Sequence, residues 1–251
     1  MNINPILAFS FLADPGLSRI CRKYEIQPKM SKHLLKLRGF EIVIVCDDSS
    51  SMNNPTENPG RTRWDELCST VKIIVEIGVI FDSDGVDIYF LNRDPILKVK
   101  DSTNIVQAFQ TPPEGHTPLA LVLKEIFQSE LASRKRNKKL FVLVATDGEP
   151  TDENGVPNRG ELKRIMEKVR TVATTHVSFL ICTEDRDGVA YLDQWDKSMR
   201  NVDINDDFKT QREKIRQRRR RKDYPFSRGD YVVKVMMGAI VPELDRLDEC
   251  D

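Results

Sequence analysis

The sequence predicts an α/β protein built on a mainly parallel sheet. Short apolar runs rich in β-branched residues alternate along the chain with longer segments whose apolar residues recur every three or four positions. The apolar runs are typical of buried strands, and the longer segments are typical of helices that pack by one face. The alternation of the two is typical of parallel sheets. With 251 residues, 39% apolar and 31% charged, the chain is long enough for one large domain or two small ones with a substantial core.

Six segments are predicted as strands. Three of them are continuous apolar runs, as expected of central strands that are covered on both faces. The third in chain order is short and follows Pro95, which favours a position at an edge of the sheet. In chain order the predicted strands span residues 41–46, 86–91, 96–99, 140–145, 177–182 and 202–204.

The helices are predicted from apolar periodicity and from capping residues. The longest has apolar residues around most of its circumference, so we expect it to be covered on more than one side. Thr117 before Pro118 has the order of an N-cap and a first helical residue, and Ser227 with Asp230 has a capping-box pattern. The predicted helices span residues 16–24, 61–80, 103–109, 118–131, 158–169 and 228–236.

The charge and the apolar runs exclude several classes of function. The 39 basic and 39 acidic residues give a net charge of zero, which argues against a uniformly basic nucleic-acid binder and against membrane attachment by bulk charge. No run approaches the roughly 20 apolar residues that cross a bilayer. The short apolar run 6–13 has no basic residue before it, unlike a signal peptide. We therefore expect no targeting segment and no membrane partner.

The cysteines indicate a reducing compartment. Their number is odd, their spacings are wide and no pair is separated by only two residues, so we expect free thiols. We expect the protein in the cytoplasm, with the nucleus as the alternative because the chain carries a basic run of the kind that acts as a nuclear import signal. The five cysteines are Cys21, Cys46, Cys68, Cys182 and Cys250.

Oxygen-bearing side chains follow two of the predicted strands. Asp47 and Asp147 come directly at or after the ends of apolar strands. Ligands bind at the carboxyl ends of parallel strands. Two carboxylates at that place would repel each other unless a cation lay between them. The D-x-S-x-S spacing can turn Asp47, Ser49 and Ser51 toward one point, and Thr117 can bring a third hydroxyl. Oxygen donors with few charges suit Mg²⁺ or Mn²⁺, suit Ca²⁺ less well and argue against zinc.

Three short sequences resemble the parts of a known metal site. IVIVCDDSSSM at 42–52, GHTPL at 115–119 and ATDGE at 145–149 are similar to the metal-ion-dependent adhesion site of the von Willebrand factor A domain family, which includes integrin I domains. They occur in the family's order, and the resemblance covers about residues 38–205. It implies a doubly wound, Rossmann-like fold with a mainly parallel six-stranded sheet, helices on both faces and one antiparallel edge strand.

The resemblance also implies a role for each site residue. Ser49 and Ser51 would bind the cation directly, Thr117 directly or through water, and Asp47 and Asp147 directly or through water. A carboxylate from a protein partner would fill the open coordination position. We therefore expect a non-enzymatic, intracellular interaction module that binds an acidic partner residue through the cation.

Parts of the chain depart from the family pattern. Position 48 is aspartate, where the family often has a small or neutral residue, and we expect Asp48 to be solvent-exposed or to cap the loop. Residues 1–37 are interpreted as a partly helical N-terminal extension, and residues 38–251 as a single domain. A basic insertion at about 209–222, read as an exposed helix or a flexible segment, precedes the last helix.

Two other functions stay open. The first is a nucleic-acid-associated or scaffold protein that uses the basic segment 212–222, although a solvated charged helix explains that segment more simply. Its candidate contacts with nucleic acid or an acidic partner are Arg218, Arg219, Arg220, Arg221 and Lys222. The second is metal-assisted hydrolysis, which lacks an obvious general base at the site. A Ser51–His116–Asp147 hydrolase is not supported, because the chain has no G-x-S-x-G elbow.

Overall fold

One sheet of six strands forms the centre of the molecule. The computed structural model describes residues 14–133, 138–185 and 187–248. The strands are β1 (Phe40–Cys46), β2 (Val86–Phe90), β3 (Ile96–Val99), β4 (Lys139–Thr146), β5 (Thr175–Ile181) and β6 (Val202–Asn205). Their spatial order is β3-β2-β1-β4-β5-β6. All neighbouring pairs are parallel except β2 and β3, in which Val86 lies opposite Val99. The predicted fold class is confirmed, including the antiparallel edge strand.

Helices cover both faces of this sheet. They are α1 (Pro15–Lys23), α2 (Pro28–Ser31), α3 (Arg63–Phe81), α4 (Thr103–Ala108), α5 (Leu119–Ser133), α6 (Arg159–Arg164), α7 (Leu192–Ser198), α8 (Phe208–Arg218), α9 (Arg228–Met237) and α10 (Pro242–Asp245). Shorter 3₁₀ segments span Lys32–Gly39 and Ser50–Asn53, and a π-helical turn, Ile165–Val169, continues α6. Each predicted helix is present, although α5 begins at Leu119, one residue later than predicted.

The sheet separates two apolar layers, and β1 shows how. Ile42, Ile44 and Cys46 face the layer that contains α1, α3 and α9, while Val43 and Val45 face the layer that contains α5, α6 and α7. Successive strand residues point to opposite faces, so a strand that is buried on both faces must be apolar throughout. This burial explains the continuous apolar run of β1.

The described part of the N-terminal segment contributes to the first layer. Leu17, Ile20, Leu34 and Leu37 are almost completely buried there. The backbone N–H of Gln27 donates to Asp230 Oδ1 of α9 over 2.8 Å. Residues 14–37 therefore pack as part of the core that supports the last helices. The first 13 residues of the predicted extension, like Cys250, lie outside the described residues.

The order of the strands creates a ligand-binding position at the centre of the sheet. β1 is followed by α3, which lies in one apolar layer, and β4 is followed by α6, which lies in the other. β1 and β4 are direct neighbours, with Cys46 opposite Ala145 at their carboxyl ends. In open parallel sheets, ligands bind where neighbouring strands connect to opposite faces. Among the helices that the structure describes, none has both the length and the apolar character needed to cross a membrane.

Candidate metal centre

The loop after β1 begins with a turn made by the Asp47 carboxylate. Asp47 is completely buried; its Oδ1 accepts the backbone N–H of Ser49 over 2.9 Å, and its Oδ2 accepts the Thr146 hydroxyl over 2.6 Å. A short carboxylate that accepts an N–H two residues ahead forms an Asx-turn. The turn brings Ser49 back beside the end of β1, and the bond from Thr146 ties Asp47 to β4.

A chain of hydrogen bonds joins four of the five predicted ligands. Ser49 Oγ lies 3.1 Å from Ser51 Oγ, and Ser51 Oγ donates to Asp147 Oδ1 over 2.8 Å. Asp47 enters this chain through its bond to the Ser49 backbone. The spacing that predicted convergence of Asp47, Ser49 and Ser51 is thus realised. Asp147 meets them from the end of the neighbouring strand.

Thr117 is held beside these loops by its backbone. Its N–H donates to Thr151 Oγ1 over 3.0 Å, and its carbonyl accepts the N–H of Thr151 over 2.9 Å. Two residues earlier, the Gly115 carbonyl accepts the N–H of Ser50 over 3.2 Å. Thr117 therefore sits between the loops that carry Ser49 and Asp147. Within the described part of the chain, no hydrogen bond joins its hydroxyl to the other four side chains.

Gly115 is required where these loops meet. Its φ of +96° is in the left-handed region, and a Cβ atom there would lie 2.5 Å from Asn92 Oδ1. Asn92 in turn donates from Nδ2 to the carbonyl of His116 over 2.8 Å. A side chain at position 115 would push this contact apart and displace Thr117.

Arg63 is a part of the site that the sequence analysis missed. Its Nη1 donates to Asp147 Oδ2 over 2.6 Å, and the Asp147 side chain is completely buried. Arg63 is the first residue of α3, and a capping box fixes its position: Asp65 Oδ2 accepts the Thr62 N–H over 2.8 Å, and Thr62 Oγ1 accepts the Asp65 N–H over 3.2 Å. Thr146, which binds Asp47, was also not predicted.

The buried carboxylates give the site an excess of negative charge. Burial, and then the nearby charge of Asp147, raise the pKa of Asp47 to about 6, and hydrogen bonds from Ser49 and Thr146 oppose this shift. Arg63 neutralises one of the two carboxylates. Burial also raises the pKa of the Cys46 and Cys182 thiols, so neither supplies a thiolate. Two carboxylates and neutral hydroxyls therefore form the donor set, and it fits a hard divalent cation.

Asp48 faces away from the candidate metal ligands. It is buried rather than solvent-exposed, so that part of the expectation was wrong, whereas loop capping is confirmed. Oδ1 accepts the backbone N–H groups of Leu91 and Asn92, both over 2.9 Å, and Oδ2 accepts Arg93 Nε over 2.6 Å. These bonds close the end of β2. Asp48 is therefore engaged at the end of β2, and none of these bonds involves a candidate metal ligand.

Two other groups of carboxylates come close enough to hold a cation among the described residues. One contains Glu41, Asp82 and Asp84; the other contains Asp196, Asp203 and Asp245. Each already has a lysine: Lys138 Nζ lies 3.1 Å from both Glu41 and Asp82, and Lys234 Nζ lies 3.6 Å from Asp203. Neither group includes a ligand predicted from the sequence.

The basic segment forms α8 and the turn that follows it. Arg218 donates to the carbonyl of Arg246, the Arg219 guanidinium lies 5.6 Å from the centre of the Tyr224 ring, and Arg221 lies 3.3 Å from Asp223. Residues 219–222 are exposed. None of these described contacts involves a predicted metal ligand, so the structure does not join the two candidate sites.

A cleft of about 750 Å³ opens beside the candidate metal centre. Arg63 belongs to its wall, which places the ion pair of Arg63 with Asp147 at the boundary between the candidate ligands and the cleft. The wall carries both basic and acidic groups. It is formed by residues 55–58, Arg63, Glu66, residues 182–185, residues 207–209, Arg212 and Arg228.

Comparison with known proteins finds similarity among solved structures. No protein-family model matches the chain, and no curated protein matches it in sequence. Among solved structures, the chain is similar to manganese-loaded Plasmodium vivax TRAP protein, with 12% sequence identity and a TM-score of 0.48. The similarity covers 68% of this chain and 69% of that chain. The strand order and the register of this chain define its fold class by themselves.

Proposed function

We propose that this protein is a non-enzymatic interaction module that binds an acidic residue of a protein partner through a divalent cation. Mg²⁺ or Mn²⁺ would be held by Asp47, Ser49, Ser51, Thr117 and Asp147. The observation that carries the proposal is the hydrogen-bonded chain from Asp47 through Ser49 and Ser51 to Asp147, at the carboxyl ends of two adjacent strands. The motif resemblance to von Willebrand factor A domains supports the same site.

The composition of the ligand set favours recognition of a carboxylate. Asp47 and Asp147 supply charge, whereas the serine and threonine ligands are neutral, so a bound cation would keep its attraction for an acidic group. Ser50 and His116 on the adjoining loops are exposed, and Ser51 is half-buried. A partner therefore has access to this edge of the sheet. We assign binding rather than catalysis because Asp47 and Asp147, the carboxylates at the centre, both act as ligands.

We place this interaction inside the cell. Cys21, Cys46, Cys68 and Cys182 are free thiols in the structure. Free cysteines at such wide spacings are typical of proteins in a reducing compartment.

Calorimetric titration with Mn²⁺ and Mg²⁺ tests the metal site. We expect the wild type to bind one ion and Asp147→Asn to lose that binding. Asp84→Asn and Asp245→Asn are the matched controls, because each removes a carboxylate from one of the other acidic groups. Loss of binding in either control, with binding kept in Asp147→Asn, would contradict the assignment.

A capture experiment tests the interaction. Partners retained on the immobilised wild type in Mg²⁺ are expected to be released by EDTA and not retained by Asp147→Asn. A partner that stays bound in EDTA and is also retained by Asp147→Asn is not bound through the cation.

Nucleic-acid binding by Arg218–Lys222 is the alternative. It predicts binding that weakens steeply with salt, ignores EDTA and is lost when residues 212–222 are deleted. The exposure of residues 219–222 favours it. The contacts of Arg218 and Arg219 with Arg246 and Tyr224 instead use part of the segment within the fold.

A further inference from the structure

We infer that Arg63 is a second recognition element for the partner's acidic residue, and that its charge weakens the binding of the cation while strengthening the binding of the carboxylate. This inference rests on the proposed function, since it concerns the same site. It starts from the ion pair between Arg63 and Asp147, in which Nη1 lies 2.6 Å from Oδ2.

The ion pair uses only part of the guanidinium. A guanidinium has five N–H donors, and the bond to Asp147 is the one hydrogen bond that Arg63 side-chain nitrogens make within the described chain. No Arg63 nitrogen is among the described polar atoms that are both buried and unpaired. The remaining donors therefore reach solvent, and Arg63 lines the cleft. They are available to a ligand that enters beside the metal centre.

Arg93 shows what a purely structural arginine looks like in this chain. It makes an ion pair of the same length, 2.6 Å, with Asp48. Its other nitrogens donate to the carbonyls of Ala108, Thr111 and Pro112 over 3.3–3.5 Å. Its guanidinium also lies 5.5 Å from the centre of the Trp64 ring. The N–H donors of the Arg93 guanidinium have acceptors inside the fold, whereas most of those of Arg63 face solvent.

The charges at the site give Arg63 opposite effects on two ligands. Asp47 and Asp147 together balance a divalent cation, so the guanidinium leaves the loaded centre with one positive charge in excess. That charge repels the cation and attracts a carboxylate, because like charges repel and opposite charges attract through the same low-dielectric surroundings. The planar guanidinium also matches the two oxygens of a carboxylate. An arginine that only held Asp147 in place would instead strengthen the binding of both the cation and the partner's carboxylate.

Titration of Mn²⁺ tests this inference, with free Mn²⁺ measured by electron paramagnetic resonance. Each protein is titrated in sodium acetate and in sodium chloride of equal ionic strength, with correction for the Mn²⁺–acetate complex. In the wild type, acetate should tighten the apparent affinity for Mn²⁺. In Arg63→Gln, we expect Mn²⁺ in chloride to bind about tenfold more tightly, because a positive charge is removed nearby, and we expect the effect of acetate to disappear.

Two variants complete the design. Arg93→Gln removes the matched arginine and should leave both the Mn²⁺ affinity and the acetate effect as in the wild type. Arg63→Lys keeps the charge but not the planar donors, so Mn²⁺ affinity in chloride should stay within twofold and the acetate effect should fall. Circular dichroism in Mn²⁺ shows whether Arg63→Gln folds. If it does not fold, the acetate effect in Arg63→Lys tests the inference.

The outcomes separate this inference from the proposed function. If the wild type binds Mn²⁺ and Arg63→Gln binds it equally or more weakly, Arg63 only supports Asp147 and the inference is wrong, while the metal site stands. An acetate effect that persists in Arg63→Gln, or that is undiminished in Arg63→Lys, also overturns the inference. If the wild type does not bind Mn²⁺, both the inference and the proposed function fail.

Discussion

Asp47 and Asp48 are adjacent in the sequence, but their carboxylates lie on opposite sides of β1 and make separate sets of bonds. Asp47 accepts from Thr146 at the end of β4, whereas Asp48 accepts from Leu91 and Arg93 beyond the end of β2. Because β4 and β2 flank β1 on its two sides, the pair joins three strands at their carboxyl ends. One aspartate belongs to the candidate metal centre, and the other holds the loop that supports it.

The two aspartates should therefore respond differently to the same substitution. In Asp47→Asn we expect the chain to fold with an unchanged or higher melting temperature in EDTA, since burial disfavours the charge that this change removes. The stabilisation by Mn²⁺ should disappear. In Asp48→Asn we expect a loss of about 3 kcal/mol in the free energy of unfolding, because the buried pair with Arg93 is broken. Its stabilisation by Mn²⁺ should remain.

Urea denaturation and thermal melts with EDTA or Mn²⁺ measure both effects. The reverse pattern, with Mn²⁺ stabilising Asp47→Asn but not Asp48→Asn, would show that Asp48 is the ligand. Equal loss of stability in both variants would mean that the two carboxylates share a structural role.

The fold was predictable because its central strands, β1, β4 and β5, are buried on both faces. The continuous apolar runs that predicted β1, β4 and β5 are the direct result of that burial. Not every short helix left a signal, and α7 was not predicted. In α7, Leu192 and Trp195 are the buried residues, which is too few to establish a helical period.

Four of the five candidate ligands were predictable because they follow strands, whereas Thr117 was predicted from its place before Pro118 and from the family resemblance. Asp47, Ser49, Ser51 and Asp147 lie at or just after strand ends, so spacing alone brings them together. Arg63 contacts Asp147 across a long sequence separation, and that contact depends on where α3 begins relative to β4. The D-x-S-x-S spacing already assigned Asp47 rather than Asp48 to the candidate site, but the bonds of Asp48 to Leu91 and Arg93 depend on how β2 packs beside β1 and leave no signal in the sequence.

The last helices are packed tightly against the N-terminal segment at Gly229. A Cβ atom at this residue of α9 would lie 2.3 Å from the Tyr24 carbonyl oxygen and 2.6 Å from the Ile26 side chain. Alanine normally stabilises a helix relative to glycine. In Gly229→Ala we instead expect a loss of about 1–3 kcal/mol in the free energy of unfolding, because the backbone must move.

Gly160→Ala is the matched control for that substitution. Gly160 is also helical, in α6, and a Cβ atom there meets nothing within 4 Å. This variant should be as stable as the wild type or gain up to about 1 kcal/mol. Urea denaturation compares the two variants, and equal stabilities would refute the close approach of α9 to Tyr24.

Lys234 is a buried cation that ties α9 to β6 and to the end of the described chain. Its Nζ donates to Asn205 Oδ1 over 3.0 Å and lies 3.6 Å from Asp203 and 3.2 Å from Asp248. Lys234→Met leaves these acidic groups without their cation, so we expect a loss of about 3–5 kcal/mol. Adding Asp203→Asn should recover part of this loss, because the neighbouring charge is also removed. Urea denaturation of the single and double variants measures the coupling; strictly additive losses would show that the pair does not interact.

Burial of His176 makes the stability of the fold depend on pH. Its Nδ1 is buried without a hydrogen-bond partner in the described chain, and its ring packs edge-on against Phe40 at 5.1 Å. Burial, with help from the charges of Lys139, Arg170 and Arg200, lowers the pKa of His176 from 6.5 to about 4. The unfolded chain therefore binds the proton first as the pH falls.

The resulting loss of stability occurs over a defined range of pH. The contribution of neutral His176 is complete above pH 6.5 and declines as the pH falls toward 4, by about 3 kcal/mol in all. His176→Phe keeps an aromatic ring against Phe40 but cannot take up a proton, so its free energy of unfolding should fall less than that of the wild type over this range. Urea denaturation at a series of pH values measures both slopes. Parallel slopes would mean that His176 is protonated in the folded protein as readily as in the unfolded chain.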